Sequence, residues 1–267
     1  MRGIAVASLC GTLALLSLAE PVRSASFWPE SGRPITRTAI KRFNVVRLAG
    51  VRGRYIQIDD QLFPEQATLL SGFSGAKWPG GKLIYQFDSS VDTAKQLVFI
   101  TSCDLWKAVA RVECVARTTE TSYVQVMTSN ENSSTIGKQP GVGTIKIMNW
   151  DSPLTVAHEI GHSFGLAHEQ CRSDRETYVQ ILMANIIAGK SSNFDIESTD
   201  DEGTSYDFDS VMHYWGTAFG RKDPTTGATM TTILVKPPNL AKQSTIGRWT
   251  RLSAGDAAGM AARYGAP

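Results

Sequence analysis

Three histidines and a glutamate fall at a spacing that can hold and use a metal ion. They lie in residues 158–168, which read HEIGHSFGLAH. On a helix, residues four apart share one face, so His158 and His162 are expected to project together toward one zinc ion. Glu159 follows the first of them and is placed to accept a proton from a water molecule that the metal activates. The stretch therefore predicts a catalytic metal centre on a helix.

The end of the motif supplies a third ligand. Gly165 lets the backbone leave the helix in a conformation that other residues resist, and the turn brings His168 back toward the metal. Three neutral nitrogens leave one position open, which is typical of a catalytic zinc site. A chance occurrence is the alternative. However, the 267 residues hold only four histidines, and three of them lie in this motif.

The fourth histidine belongs to a second motif, SVMHY at residues 210–214. Met212 could be an ordinary core methionine. Downstream of a three-histidine motif, it is more plausibly part of a tight turn beneath the metal, with its thioether packed against the imidazoles. Tyr214 is then expected to place its phenol on or near one zinc ion.

The composition is that of a soluble globular protein, with 42% apolar and 19% charged residues and a net charge of +2. That charge gives no reason to expect a nucleic-acid partner, and no internal segment is long and apolar enough to span a membrane. Residues 1–24 contain an early arginine, a short apolar run and small residues, which together predict a secretory signal peptide. A membrane anchor is the alternative, but the run is short for one. The protein is therefore expected to be secreted.

Secretion implies an oxidising compartment. Beyond the leader, three cysteines remain, Cys103, Cys114 and Cys171. An odd number allows at most one internal disulfide, and the sequence does not choose the pair.

Residues 25–76 are rich in arginine and interrupted by prolines. They are either a floppy basic tail or a propeptide that covers the metal site, and we favour the propeptide. Within them, residues 55–58 alternate as a short strand would, and Asp59 and Asp60 follow.

Residues 77–267 are expected to form the catalytic domain. Strands are predicted at 82–87, 112–116, 123–128 and 143–149, a helix at 91–111 and a loop at 129–141. The order predicts an α+β fold, with a mixed sheet, helices packed on it, and loops and a final helix at the C-terminus. The strand that holds Thr144, Ile145, Lys146 and Ile147 is either a core strand or a sheet edge that pairs with an extended peptide substrate.

These motifs resemble the astacin family of metzincin zinc endopeptidases. Its long motif continues with a glutamate and R-x-D-R, which match Glu169 and residues 172–175, and its methionine turn matches residues 210–214. The resemblance runs from about Trp78 to the C-terminus.

The resemblance implies a two-lobed zincin domain with a mostly parallel mixed sheet, an active-site helix and an irregular C-terminal lobe. It implies His158, His162 and His168 as zinc ligands, Tyr214 as a displaceable ligand, and the strand near Ile145 as the substrate strand. Glu169 would help to hold the new N-terminus after propeptide removal. The chain departs from the family pattern in its cysteines, and it lacks the F-x-G-D propeptide motif, for which Asp59 or Asp60 is a weak substitute.

The function predicted from the sequence is zinc-dependent hydrolysis of peptide bonds in proteins, with the propeptide as inhibitor. Glu159 is the expected general base, and Tyr214 donates a hydrogen bond to the oxyanion. One alternative is a catalytically silent zinc-containing binding protein on the same scaffold, which the intact Glu159 argues against. Another is a zincin with a glutamate as third ligand, which His168 at the metzincin spacing argues against.

Overall fold

The computed structural model of the protein describes residues 44–47, 54–64, 75–197 and 203–267. The predicted signal peptide lies outside these ranges, as does most of the predicted propeptide. The described helices are α1 (Thr93–Lys107), α2 (Pro153–Phe164) and α3 (Ala254–Tyr264). The strands are β1 (Asn44–Val46), β2 (Tyr55–Ile58), β3 (Gln61–Pro64), β4 (Lys82–Phe87), β5 (Glu113–Ala116), β6 (Tyr123–Thr128), β7 (Ser133–Thr135), β8 (Val142–Ile147), β9 (Val179–Ile181) and β10 (Ile233–Val235).

Eight strands form one mixed sheet in the order β1-β2-β3-β7-β8-β6-β4-β5. The strands β5, β4, β6 and β8 run parallel to one another, and β7 is antiparallel to β8. With helices packed on the sheet, this is the α+β architecture that the sequence predicted. The parallel strands carry buried apolar residues, such as Leu83, Val124 and Ile145, because they lie within the core.

The expectation that residues 144–147 form the edge of the sheet is wrong. These residues belong to β8, which pairs with β6 on one side and with β7 on the other. Thr144, Ile145 and Ile147 are almost fully buried, while Lys146 is half-buried and forms an ion pair with Glu131. Apart from β1–β3, the sheet ends at β5 on one side and at β7 on the other, and β7 lies in a stretch predicted to be a loop.

Strands β2 and β3 form an antiparallel pair, joined by a turn at Asp59 and Asp60. We call this unit, residues 55–64, the N-terminal hairpin. It extends the sheet formed by β4–β8, because β3 pairs in parallel with β7. The Ser134 N–H donates to the Asp60 carbonyl at 2.7 Å, and the Ile136 N–H donates to the Leu62 carbonyl at 3.1 Å. The N-terminal hairpin therefore covers the edge of the sheet at β7.

Helix α1 packs against the sheet and against α2. It begins one residue after Asp92, whose carboxylate accepts the Lys95 N–H at 3.0 Å. An aspartate at this position satisfies one of the free N–H groups of the first turn and so fixes the start of the helix. A disulfide joins Cys103 of α1 to Cys114 of β5, and Cys171 is a buried free thiol. One bridge and one free thiol agree with the odd cysteine count.

The C-terminal lobe is irregular, as predicted, with short 3-10 turns, the two-stranded β9–β10 sheet and helix α3. A second apolar cluster fills this lobe, and it includes Val179, Phe194, Tyr206, Tyr214 and Ile233. None of the helices within the described ranges is long and apolar enough to cross a lipid bilayer.

Candidate metal centre

Helix α2 carries the first two histidines. The Ser152 hydroxyl caps its start by accepting the Thr155 N–H at 3.2 Å, and Pro153 occupies the first turn, where its missing N–H costs nothing. The helix ends at Gly165, which adopts a φ of 100°. This left-handed conformation is strained for other residues, and it directs the chain back so that His168 faces the same point as His158 and His162.

The three imidazoles converge through their Nε2 atoms and are 0–3% exposed. His158 and His162 place these atoms 3.1 Å apart. Their Nδ1 atoms lie against backbone carbonyls, of Val211 at 2.7 Å and of Leu166 at 2.8 Å. A ring nitrogen must donate to a carbonyl, so Nδ1 carries the proton and Nε2 presents its lone pair.

Asp60, at the tip of the N-terminal hairpin, faces all three histidines. Its carboxylate oxygens lie 3.3 Å from Nε2 of His158, 3.5 Å from Nε2 of His162 and 3.1 Å from Nε2 of His168. These four residues are the group in the described part of the chain that could hold a metal ion. The adjacent Asp59 accepts a hydrogen bond from the Tyr214 hydroxyl.

The donor set fits a zinc ion. Two nitrogen lone pairs that face each other and a carboxylate repel one another unless a cation lies between them. Tetrahedral zinc with bonds of about 2.0–2.1 Å would separate two ligand nitrogens by about 3.3 Å, close to the observed spacing. His168 Nε2 and Asp60 Oδ1 are also buried with no hydrogen-bond partner, although only 3.1 Å separates them. Such orphaned polar atoms are costly unless they bind a metal ion.

The methionine turn lies beneath this centre. The His213 N–H donates to the Ser210 carbonyl at 3.1 Å, which closes the turn. Met212 is 2% exposed and packs on helix α2 at Gly161, where an added Cβ would lie 2.9 Å from its sulfur atom. The Tyr214 ring lies 4.6 Å from the His168 ring, centroid to centroid. Met212 therefore supports the metal helix from below, and Tyr214 flanks the third histidine.

Burial and like charge set the protonation of the carboxyl groups. Burial, and then the negative charges of Asp60 and Asp59, hold the pKa of the Glu159 carboxyl well above its usual range. Burial raises the pKa of Asp59 to about 7, helped by the charge of Asp60. Burial also lowers the pKa of His162 to about 4, so this imidazole is neutral and available as a ligand at neutral pH.

The comparisons with known proteins agree with this geometry. The family model described as Astacin, a peptidase family, matches residues 72–265. The chain belongs to the astacin family. The family consists of zinc peptidases, so the metal that the donor set fits is also the metal of the family.

Within the aligned residues, individual relatives are about one-third identical to this chain. Bone morphogenetic protein 1 of Xenopus laevis is 34% identical over 197 residues, which cover 71% of this chain and 27% of that protein. Flavastacin of Elizabethkingia meningoseptica is 35% identical over 162 residues, which cover 58% of this chain and 36% of that protein. The chain thus spans about a third or less of the length of these two curated relatives.

A solved structure shows the same fold. High choriolytic enzyme 1 of Oryzias latipes, a hatching enzyme zinc-protease, superposes with a TM-score of 0.64 at 26% identity. The superposition covers 73% of this chain and 96% of the chain of that structure. The two-lobed domain expected from the resemblance to the astacin family is therefore confirmed.

The structure brings the sequence-predicted residues together at one place. His158, His162 and His168 converge, with Glu159 and Tyr214 next to them. Glu169 lies behind the site, where its carboxylate accepts the Asp207 N–H at 2.7 Å and pairs with Arg172 at 3.3 Å.

Sequence reasoning missed three contributors to the site and undervalued a fourth. It treated Asp60 as a weak candidate, and it did not single out Gln61, Glu197 or Trp249. The Gln61 amide nitrogen lies 2.7 Å from His168 Nδ1, and the Trp249 ring stacks on His158 with centroids 5.1 Å apart. Two adjacent acids after an alternating strand were the only local signal, because the other contacts join distant parts of the chain.

Proposed function

We propose that this protein is the zymogen of a secreted zinc-dependent endopeptidase. The observation that carries the proposal is the position of Asp60, with its carboxylate 3.1–3.5 Å from the Nε2 atoms of all three histidines. A carboxylate there takes the open position that a catalytic zinc site keeps for water and substrate. Residues 25–76 would then be the propeptide, and residues 77–267 the catalytic domain.

The N-terminal hairpin would block the site in two further ways. Asp59 accepts a hydrogen bond from Tyr214 and so holds the phenol away from any substrate. Strand β3 pairs with the edge strand β7, so backbone groups that could bind an extended peptide are already engaged. Removal of the hairpin would free the metal, the phenol and the sheet edge together.

The substrates would be proteins or peptides bound in an extended form along β7. This strand, Ser133–Thr135, replaces residues 144–147 as the substrate strand, since β8 has no free edge. With the hairpin gone, the N–H groups of Ser134 and Ile136 would be available to peptide carbonyls.

Bound zinc would polarise the scissile carbonyl and make water a stronger nucleophile at neutral pH. Glu159 would accept the proton of the attacking water and pass it to the leaving amine. Burial, and then the charges of Asp60 and Asp59, raise the pKa of its carboxyl, and departure of the hairpin would remove both charges and so lower that pKa. Tyr214 would donate a hydrogen bond to the oxyanion.

Secretion rests on the predicted signal peptide, residues 1–24. The Cys103–Cys114 disulfide supports it, because such bridges persist in oxidising compartments.

The test is hydrolysis of denatured casein by the processed protein, with and without a zinc chelator. Glu159→Gln is measured alongside, with Glu113→Gln on the exposed side of β5 as the matched control. We expect activity that is lost to chelator, restored by zinc and at least about 100-fold lower in Glu159→Gln. Near wild-type activity in that variant would refute the role of Glu159, and activity that survives chelation would refute the zinc mechanism.

The zymogen is tested in the unprocessed chain. Asp60→Ala should hydrolyse a short peptide at a low but measurable rate before any cleavage of the chain, since the group that faces the metal is gone while Asp59 and β3 still engage Tyr214 and β7. Asp104→Asn, an exposed change on α1, should leave the chain latent. An Asp60→Ala chain as inactive as the wild type would argue against the blocking role.

A further inference from the structure

The third zinc ligand differs from the other two in what orients it. His158 and His162 each direct Nδ1 to a backbone carbonyl of the catalytic domain. His168 instead directs Nδ1 to the side chain of Gln61, which belongs to the N-terminal hairpin. If the hairpin leaves, as the proposed function requires, this imidazole loses the described partner of its Nδ1 atom.

The amide of Gln61 is also turned unfavourably for metal binding. A metal ion on Nε2 of His168 requires the proton at Nδ1, and that proton needs an acceptor. Gln61 presents its Nε2, a donor, at 2.7 Å, while its Oε1 is buried with no partner. While the hairpin is in place, the Nδ1 proton that a zinc-bound His168 needs therefore has no described acceptor, and Gln61 orients this ligand less well than a carbonyl or carboxylate would.

A buried carboxylate lies on the other side of the same amide. The Gln61 Nε2 donates to Glu197 Oε1 at 3.2 Å, so His168 Nδ1 and this oxygen flank one nitrogen atom. Glu197 is 1% exposed, and its Oε2 has no hydrogen-bond partner among the described residues. Loss of Gln61 would leave both the carboxylate and the imidazole unsatisfied in the interior, which is costly.

We propose that Glu197 is the positioning residue of His168 in the active enzyme, where its carboxylate accepts the Nδ1–H in place of Gln61. Burial raises the pKa of Glu197 to about 8 while Asp60 is near, and a hydrogen bond from the imidazole of a zinc-bound His168 favours the ionised carboxylate. That carboxylate can only accept, so the pair fixes the proton on Nδ1 and leaves Nε2 free for zinc. The backbone holds Glu197 near the site, because its N–H donates to the Cys171 carbonyl at 2.8 Å, three residues after His168. The hairpin thus separates a ligand from the group that orients it.

Zinc affinity of the full-length chain tests this inference without relying on catalysis. Four chains are compared by competition with a chelator of known affinity: wild type, Gln61→Ala, Glu197→Gln and the double variant. In the Gln61→Ala background, Glu197→Gln should weaken zinc binding by about 10- to 100-fold, the usual effect of losing such a partner. In the wild-type background, where Gln61 still separates the two groups, the loss should be less than about 3-fold.

Asp195→Asn provides the matched control, since it changes a carboxylate to an amide two residues away on the same loop. It should leave zinc affinity unchanged in both backgrounds. A merely structural role for Glu197 would weaken binding equally in both backgrounds, and that result, or no loss in either, overturns the inference.

A second measurement needs no change at Glu197. With only four histidines in the chain, the ring N–H protons of the zinc-loaded protein can be assigned by NMR. In Gln61→Ala, the Nδ1–H resonance of His168 should move downfield, as expected for a hydrogen bond to a carboxylate; an unmoved resonance overturns the inference. Neither readout requires hydrolysis, so the inference can fail while the casein test succeeds, and the reverse.

Discussion

Tyr214 is held between two kinds of partner. Its ring contacts His168, and its hydroxyl donates to Asp59 of the N-terminal hairpin. Burial and the charges of Asp59 and Asp60 hold the pKa of the phenol well above its usual range, so the hydroxyl keeps its proton. A protonated phenol next to the metal centre can donate a hydrogen bond to a bound substrate once Asp59 no longer accepts it.

Tyr214→Phe should therefore separate catalysis from metal binding. We expect kcat on a peptide substrate to fall about 100-fold in the processed enzyme, the usual cost of losing one oxyanion donor. The three histidines are untouched, so zinc content should remain at one per chain. Unchanged kcat would remove the phenol from the mechanism, and Tyr123→Phe on β6 controls for the loss of a hydroxyl.

Asp195, which is not a zinc ligand, makes the stability of the folded protein depend on pH. Burial raises its pKa to about 6, against the opposing charge of Arg175. Between about pH 4 and 6 the unfolded chain releases this proton while the folded chain keeps it, so stability falls as pH rises through that window.

Asp195→Asn removes this titration. The stability advantage of the variant over the wild type should grow from about pH 4 to 6, by on the order of 1 kcal/mol after allowance for the partial solvent exposure of Asp195, and then stay level. Denaturant unfolding of both proteins at each pH measures it. A difference that does not vary with pH would mean that the pKa of Asp195 is not raised in the folded protein.

Spacing along one helix is what made the histidines predictable. Residues four apart must share a face, and Gly165 marks the turn that returns His168. Asp60 and Glu197 could not be placed in this way. They reach the site from segments far apart in the chain, and only the folded structure sets their distances.

Among the elements, helix α1 and strand β5 are tied by the Cys103–Cys114 disulfide. The two cysteines are 11 residues apart in sequence, and Cys103 is part of the core. Closing so short a loop should stabilise the fold by about 2–3 kcal/mol, mainly by restricting the unfolded chain.

A reductant should therefore lower the free energy of unfolding by about that amount in the wild type. It should have no effect on a chain with Cys103→Ala and Cys114→Ala together. Cys171→Ala, which removes the buried free thiol, should respond as the wild type does. Equal sensitivity of the double variant would show that the reductant acts elsewhere.

The strands and helices with clear apolar periodicity were predicted close to their true bounds. Strand β4 spans residues 82–87 as expected. Helix α1, predicted at 91–111, begins at Thr93 because Asp92 caps it, and it ends at Lys107. Strand β7 was missed, because Ser133, Ser134 and Thr135 have the composition of a loop. This segment is a strand because it pairs with β8 on one side and β3 on the other, and no local sequence pattern indicates such pairing.

At the scale of the whole molecule, the metal centre joins parts that are distant in the chain. The N-terminal hairpin, helix α2 and the methionine turn all meet there. A ligand that binds only the folded state stabilises it by mass action, so zinc should raise the unfolding temperature in proportion to the logarithm of its free concentration.

Removing zinc from the full-length chain should lower that temperature. His162→Ala should start lower and show little response to either chelator or added zinc. Glu159→Gln, which keeps all three ligands, should respond as the wild type does. If chelation left the unfolding temperature of the wild type unchanged, the metal would not stabilise the contacts between the hairpin, helix α2 and the methionine turn.

The shortness of β7 has a consequence for the processed enzyme that we propose, from which the N-terminal hairpin is removed. An uncovered sheet edge invites a second copy of the chain to pair with it, and such pairing can lead to aggregation. Strand β7 is only three residues long and carries hydroxyl side chains rather than large apolar ones. It can form a few backbone hydrogen bonds with a peptide, but it has too few to hold a second folded copy of the chain. This edge can therefore be exposed without making the enzyme insoluble.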